Sequence, residues 1–152
     1  MRKRVVFAKY WLPVIIWFVL IFTVSGDTRS FSNSSRIIGP LVKWLLPRLS
    51  EAQVEDVVFF ARKCAHATEY AILAWLFWRA FRQHFSVPSK TWSWRLAWLA
   101  WLGSTIYAAT DEIHQCFVPN RQGSAWDVLL DSFGALLGVG IIWLIGRWRR
   151  FW

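Results

Sequence analysis

The chain has 152 residues, is 56% hydrophobic and 18% aromatic with 13 Trp, and carries a net charge of +9. Soluble domains are about 45–50% apolar, so this composition, gathered into long apolar runs, argues against an ordinary soluble domain. No zinc-finger spacing, RNP motif or basic helical stripe accompanies the charge, which excludes a nucleic-acid-binding class and leaves anionic lipid and membrane topology as its meaning.

The length suits one domain, residues 1–152. The fold class expected is all-α: a polytopic membrane protein with four transmembrane helices and an outer amphipathic segment. The first span, about residues 5–24, follows Arg2, Lys3 and Arg4. About 20 residues cover a hydrocarbon core of about 30 Å. A signal peptide ending at Thr23-Val24-Ser25-Gly26 is the alternative, and a retained span is preferred. Residues 25–35 read as a polar loop. Ile37, Ile38, Leu41, Val42, Leu45, Leu46 and Leu49 then recur at helical spacing, interrupted by Pro40 and Pro47. This segment is too short and charged to span. It reads as an element lying on the membrane surface, or else as a loop packed on the helices.

Residues 51–63 are expected to form a helix running into a second span at about 64–81, with Ser50 as N-cap. The third and fourth spans are expected at about 94–113 and 125–145. Ser124 followed by Asp127 resembles a capping box at the start of the fourth. Of the 18 Lys and Arg residues, 11 lie before or at the start of span one, around the loop between spans two and three, or after span four. The positive-inside rule makes that side cytoplasmic and puts both termini there.

This orientation gathers the polar residues of the spans into one outer leaflet. His66 and Glu69 share a helical face, as do Asp111, His114 and Gln115 with Tyr107 and Ser104. Asp127 and Asp131 lie one turn apart. Ionisable groups in a membrane are costly, so their default reading is functional. Arg62, Lys63 and Arg121 are cations on the outer side, against the topology rule. They pair with the acids, or they bind an anionic group, for which the Arg121 fork is well suited. The candidate binding set is therefore Arg62, Lys63, His66, Glu69, Tyr70, Asp111, Glu112, His114, Gln115, Arg121, Asp127 and Asp131. Within it His66, Glu69, Asp111 and His114 are candidates for acid–base catalysis. No cofactor is expected, with a divalent metal on the His and carboxylate groups as the alternative. Polar contacts that merely hold helices together are the structural reading of the same residues.

Gly134 and Gly138 form GxxxG, expected to pack within the chain. Cys64 and Cys116 are too few for a disulfide framework; free thiols are expected, with a disulfide in an oxidising compartment as the alternative. No P-loop, GxGxxG, HExxH or GxSxG pattern occurs.

Two motifs, Arg62-Lys63-x-Ala65-His66-x-x-Glu69-Tyr70 and Tyr107-x-x-x-Asp111-Glu112-x-His114-Gln115-x-Phe117-Val118-Pro119-x-Arg121, resemble the VanZ-like family, as does Asp127-x-x-x-Asp131-x-x-Gly134-x-x-x-Gly138. Asp131 stands where the family often has Asn, and Asn120 where a Gly is common. The resemblance covers about residues 10–146. It implies a small multi-pass protein of the bacterial cytoplasmic membrane and a link to teicoplanin resistance, without a defined reaction. The function expected is an outward-facing polar site for an anionic amphiphile, a lipid-linked cell-envelope intermediate or a glycopeptide, with membrane lipid as the other partner. An intramembrane hydrolase or phosphatase is the alternative, and a structural helper of a membrane complex the third reading.

Overall fold

The structure, a computed structural model, describes residues 2–26, 30–88, 90–119 and 122–152, with side chains for 7–25, 36–88, 90–119 and 122–152. The described residues form five helices and no strand: α1 (Arg2–Gly26), α2 (Ser30–Leu45), α3 (Glu51–His84), α4 (Trp94–Gln115) and α5 (Ala125–Trp148). Two are long and apolar enough to cross a membrane, over Phe7–Ser25 and Ala125–Trp148. Of the four expected spans, those at 64–81 and 94–113 lie in helices that carry more polar and charged residues.

Local chemistry sets most helix ends. Ser50 caps α3 in a capping box: its hydroxyl accepts from the Gln53 N–H, and the Gln53 side chain accepts from the Ser50 N–H. Pro13 sits inside α1. A proline there has no N–H for the carbonyl four residues back, and that Lys9 carbonyl instead accepts from Arg79 Nη2 of α3 at 3.5 Å. At the ends of α3 and α5 the chain turns through Ser86 (φ 52°) and Arg150 (φ 53°). Each turn is closed by a bond five residues back, Val87 N–H to Arg82 O at 3.0 Å and Phe151 N–H to Gly146 O at 2.8 Å, as in a Schellman motif.

Two expectations are corrected here. Residues 30–35, read as loop from their Ser and Asn content, are the first turns of α2. Ser and Asn lower helix propensity by only tenths of a kcal/mol each, and the helix they begin docks on α3 through Val42 against Val54 and Val58. The capping box expected at α5 also does not form. Ser124 is the N-cap and accepts from the Trp126 N–H. Asp127 instead pairs with Lys63 of α3, and the Ser124 N–H donates to Glu112 of α4. Long-range partners displace the local one.

The core lies where α1, α3, α4 and α5 meet. α3 and α5 run in the same direction, with Gly134 on the Ala67 backbone and Gly138 on the Ala71 backbone. A Cβ at either glycine would overlap that backbone, so the GxxxG pair permits the α3–α5 contact within the chain. α1 and α4 run the opposite way: Trp11 meets Phe77 and Phe81, while Trp17 bonds to Glu69 O. One end of the bundle therefore collects the end of α1, the first half of α3, the end of α4 and the start of α5.

Candidate functional site

That shared end holds most of the polar residues singled out in the sequence. On α4, Ser104, Ala108, Asp111 and Gln115 follow one helical face and are buried, and Glu112 beside them is buried too. Asp111 is 3% exposed and accepts from the Ser25 hydroxyl of α1 and from Gln115 Nε2 at 3.2 Å. The same Gln115 amide nitrogen donates to Glu112 Oε1 at 3.2 Å. Glu112 Oε2 accepts from the Ser124 N–H at 2.8 Å, which places its carboxylate at the N-terminus of α5. A negative group there is favoured by the unpaired N–H groups and dipole of the helix.

α3 contributes Lys63, whose Nζ is 2.5 Å from Asp127 Oδ1 of α5; the two side chains are about 30% exposed, 28% and 31%. One turn deeper, His66 Nδ1 lies 3.8 Å from Glu69 Oε2, an ion-pair distance too long for a hydrogen bond. Tyr70 next to Glu69 is fully buried. Its ring lies 6.5 Å from that of Tyr107, which donates to Phe18 O at 2.7 Å and stacks on Phe18 at 4.1 Å. Trp17 Nε1 donates to the Glu69 carbonyl at 3.0 Å. α5 contributes Asp131, 2% exposed. The carboxyls of Glu69, Asp111, Glu112, Asp127 and Asp131 fall within one electrostatic neighbourhood that also takes in Tyr70 and Lys63.

Three buried atoms in this region have no hydrogen-bond partner among the described residues: Tyr70 Oη, Asp131 Oδ1 and His114 Nδ1. Buried polar groups are nearly always bonded, so each exception calls for a reason. His114 is turned towards α1, its ring stacked on Phe22 at 4.0 Å.

Chemically the cluster is rich in acceptors, with Lys63 at its edge and hydroxyl, imidazole and amide groups beside the carboxyls. Arg62 is half-buried one residue from Lys63. Arg121 lies outside the described residues. Among the described residues no three His, Cys, Asp or Glu side chains converge in a metal-holding arrangement. Cys64 and Cys116 are free and exposed. Sequence reasoning missed Ser25, Trp17 and, although it named Ser124 as the N-cap, the bond from the Ser124 N–H to Glu112. Ser25 was legible only as the polar end of an apolar run, and the bonds of the other two depend on helices distant in sequence.

Neither a curated protein nor a solved structure matches this chain. The family model described as VanZ/LLP1 matches residues 10–146. This covers all three motif segments and the whole polar end of the bundle, and on that ground the chain belongs to the VanZ/LLP1 family.

Proposed function

We propose that the chain forms a single multi-pass domain in the bacterial cytoplasmic membrane and that its polar end binds the headgroup of an anionic amphiphile. In this reading α1, α4, α5 and the second half of α3 cross the membrane, both termini are cytoplasmic, and α2 lies on the outer surface. The bundle's exterior supports a lipid setting. Ile15, Ile16 and Val19 of α1, Trp98, Leu102 and Ile106 of α4, and Phe133, Leu136 and Leu137 of α5 are all exposed, while Ser25, Ser104, Asp111, Glu112, Gln115, Asp131 and Ser132 are buried. An exposed apolar girdle of this extent marks a membrane or partner surface. At 1.5 Å per residue α3 is about 50 Å long against about 30 Å of hydrocarbon, so its acidic first turns stand outside the membrane.

The observation that carries the binding reading is the set of unpartnered buried atoms on Tyr70, Asp131 and His114. Tyr70 and Asp131 sit among the carboxyls and His114 faces α1 beside them, and each leaves hydrogen-bonding capacity for a ligand. Hydroxyl and amide donors of a sugar or peptide headgroup fit the acid-rich interior. The ligand's phosphate or carboxylate fits the rim, at Lys63 and Arg62, with Arg121 of the same motif as a third cation. A lipid-linked cell-envelope intermediate or a glycopeptide has both parts, and altered glycopeptide susceptibility is the expected phenotype.

Asp111 separates this reading from its competitors. An Asn at 111 can accept from Gln115 and donate to the Ser25 oxygen, so Asp111→Asn should keep most of the resistance phenotype, while Asp111→Ala loses it. An acid–base role for His66, Glu69, Asp111 and His114 needs the ionised carboxylate, so Asn would fail nearly as badly as Ala. Glycopeptide susceptibility measured alongside melting temperature in detergent decides. Asp111→Asn inactive at wild-type stability replaces the binding reading with the hydrolase. Activity lost in step with stability for every member leaves only a structural role. Topology has its own check: with Cys64 and Cys116 removed, a cysteine at Gln122 should label in intact cells with an impermeant thiol reagent, and one at Thr91 should not. The reverse pattern overturns the orientation.

A further inference from the structure

Beyond the contact of Gly138 with Ala71, an apolar groove of about 600 Å³ opens between α3 and α5 at the end away from the acid cluster. Ile72 and Trp75 line it from α3, and Ile141 and Ile145 from α5. Its far end is closed by Trp78, Arg82 and Trp152. The turn after α5 makes that closure: Arg150 adopts φ 53° and Phe151 N–H bonds back to Gly146 O at 2.8 Å. This lays Trp152 across Gly146, where any Cβ would overlap the ring.

Three indoles surround this corner. Trp78 lies 5.8 Å from Trp92 and 5.6 Å from Trp152, and Trp92 lies 5.3 Å from Trp152. The Arg82 guanidinium sits 4.9 Å from the centre of the Trp78 ring and 5.5 Å from that of Trp152, and donates to Pro88 O at 2.6 Å. One donated bond leaves most of its five N–H groups for other partners. The indole N–H groups of Trp78, Trp92 and Trp152 are buried, with no acceptor among the described residues. An apolar trough thus leads to a corner with a cation, spare guanidinium donors and no Asp or Glu among its lining residues.

We propose that this groove holds one acyl chain of an anionic phospholipid, with the phosphate received by Arg82. Charge complementarity selects the anionic class. Arg82 is the cation that lines the groove, and a zwitterionic lipid would set its own ammonium group beside that guanidinium. Indole rings with a polar edge suit the headgroup level of a bilayer. The site uses none of the acid-cluster residues and shares with the proposed function only the membrane setting.

The test uses the full chain, stripped of lipid in detergent and titrated with dioleoylphosphatidylglycerol or dioleoylphosphatidylcholine, with bound lipid counted by native mass spectrometry. Wild type should take up one phosphatidylglycerol at about tenfold lower concentration than phosphatidylcholine, because both offer the phosphate but only phosphatidylcholine brings an ammonium group beside Arg82. Arg82→Gln should erase the preference, while Arg48→Gln, which removes the same charge at the other end, should retain it. Ile141→Trp leaves Arg82 in place, fills the trough from a half-exposed position, and should lower uptake of both lipids. Equal uptake of the two lipids by wild type overturns the proposal. So does a preference that survives Arg82→Gln, or uptake that survives Ile141→Trp.

Discussion

At one end of the bundle Asp111, Glu112 and Asp131 are 3%, 6% and 2% exposed, and the first two are bonded by Ser25, Gln115 and Ser124. At the other end Arg82, Arg95 and Arg147 lie over the rings of Trp78, Phe85 and Trp143. The contrast follows from side-chain length and desolvation. A short carboxyl held between helices cannot reach water and must be bonded by protein or ligand. A long cation can lay its stem on an aromatic surface and keep its head at the boundary. The acid end is therefore where losing a partner of a buried carboxyl should cost stability, and the basic end is where charge can be removed with little effect on the fold.

The contact under the acid end should be the most sensitive. Gly134→Leu would drive a side chain into the Ala67 backbone, and should cost about 3 kcal/mol or prevent insertion. On the same helix, a Cβ at Gly140 would meet nothing within 4 Å, so Gly140→Leu should leave the melting temperature at or slightly above wild type. Next comes Ser25→Ala, which removes the hydroxyl donor to Asp111. Leaving that carboxyl short of a partner should cost about 2 kcal/mol, read from unfolding in detergent. Lys63→Ala breaks the pair with Asp127, which is about one-third exposed, 28% and 31% for the two side chains. Solvent screening holds the expected cost to about 1 kcal/mol, and a double-mutant cycle with Asp127→Ala isolates the pair. Arg147→Ala, at the basic end, removes only a contact 5.8 Å over Trp143 and should cost about 0.5 kcal/mol. If Arg147→Ala costs as much as Ser25→Ala, the contrast between the two ends fails.

Much of this arrangement was legible in the sequence because helical spacing and topology are local or additive signals. The face shared by Ser104, Asp111 and Gln115 follows from position alone, and the packing of Gly134 and Gly138 from residue size. The Ser50 cap is a contest between neighbours. What was not legible is decided by helices far apart in the chain. Asp127 had the spacing of a capping partner for Ser124 but found the Lys63 cation, and Glu112 of α4 took the freed N–H. Ser25 ended an apolar run and gave no sign of reaching Asp111, 86 residues away. The helical start of α2 at Ser30 was hidden by a composition that favours turns. The trough beside Arg82 depends on a turn that brings Trp152 back onto Gly146, which no periodicity records.

The central claim is that the acid end leaves Tyr70, Asp131 and His114 unpartnered for a ligand's headgroup. Native mass spectrometry of the protein purified from its membrane in mild detergent tests it directly, with Tyr70→Phe, Lys63→Ala and Arg82→Gln measured beside wild type. The account predicts a phosphate- or carboxylate-bearing amphiphile on wild type and on Arg82→Gln, reduced about tenfold by Tyr70→Phe or Lys63→Ala at near-wild-type melting temperature. A wild-type protein that carries no such adduct, or an adduct indifferent to Tyr70 and Lys63, would contradict it.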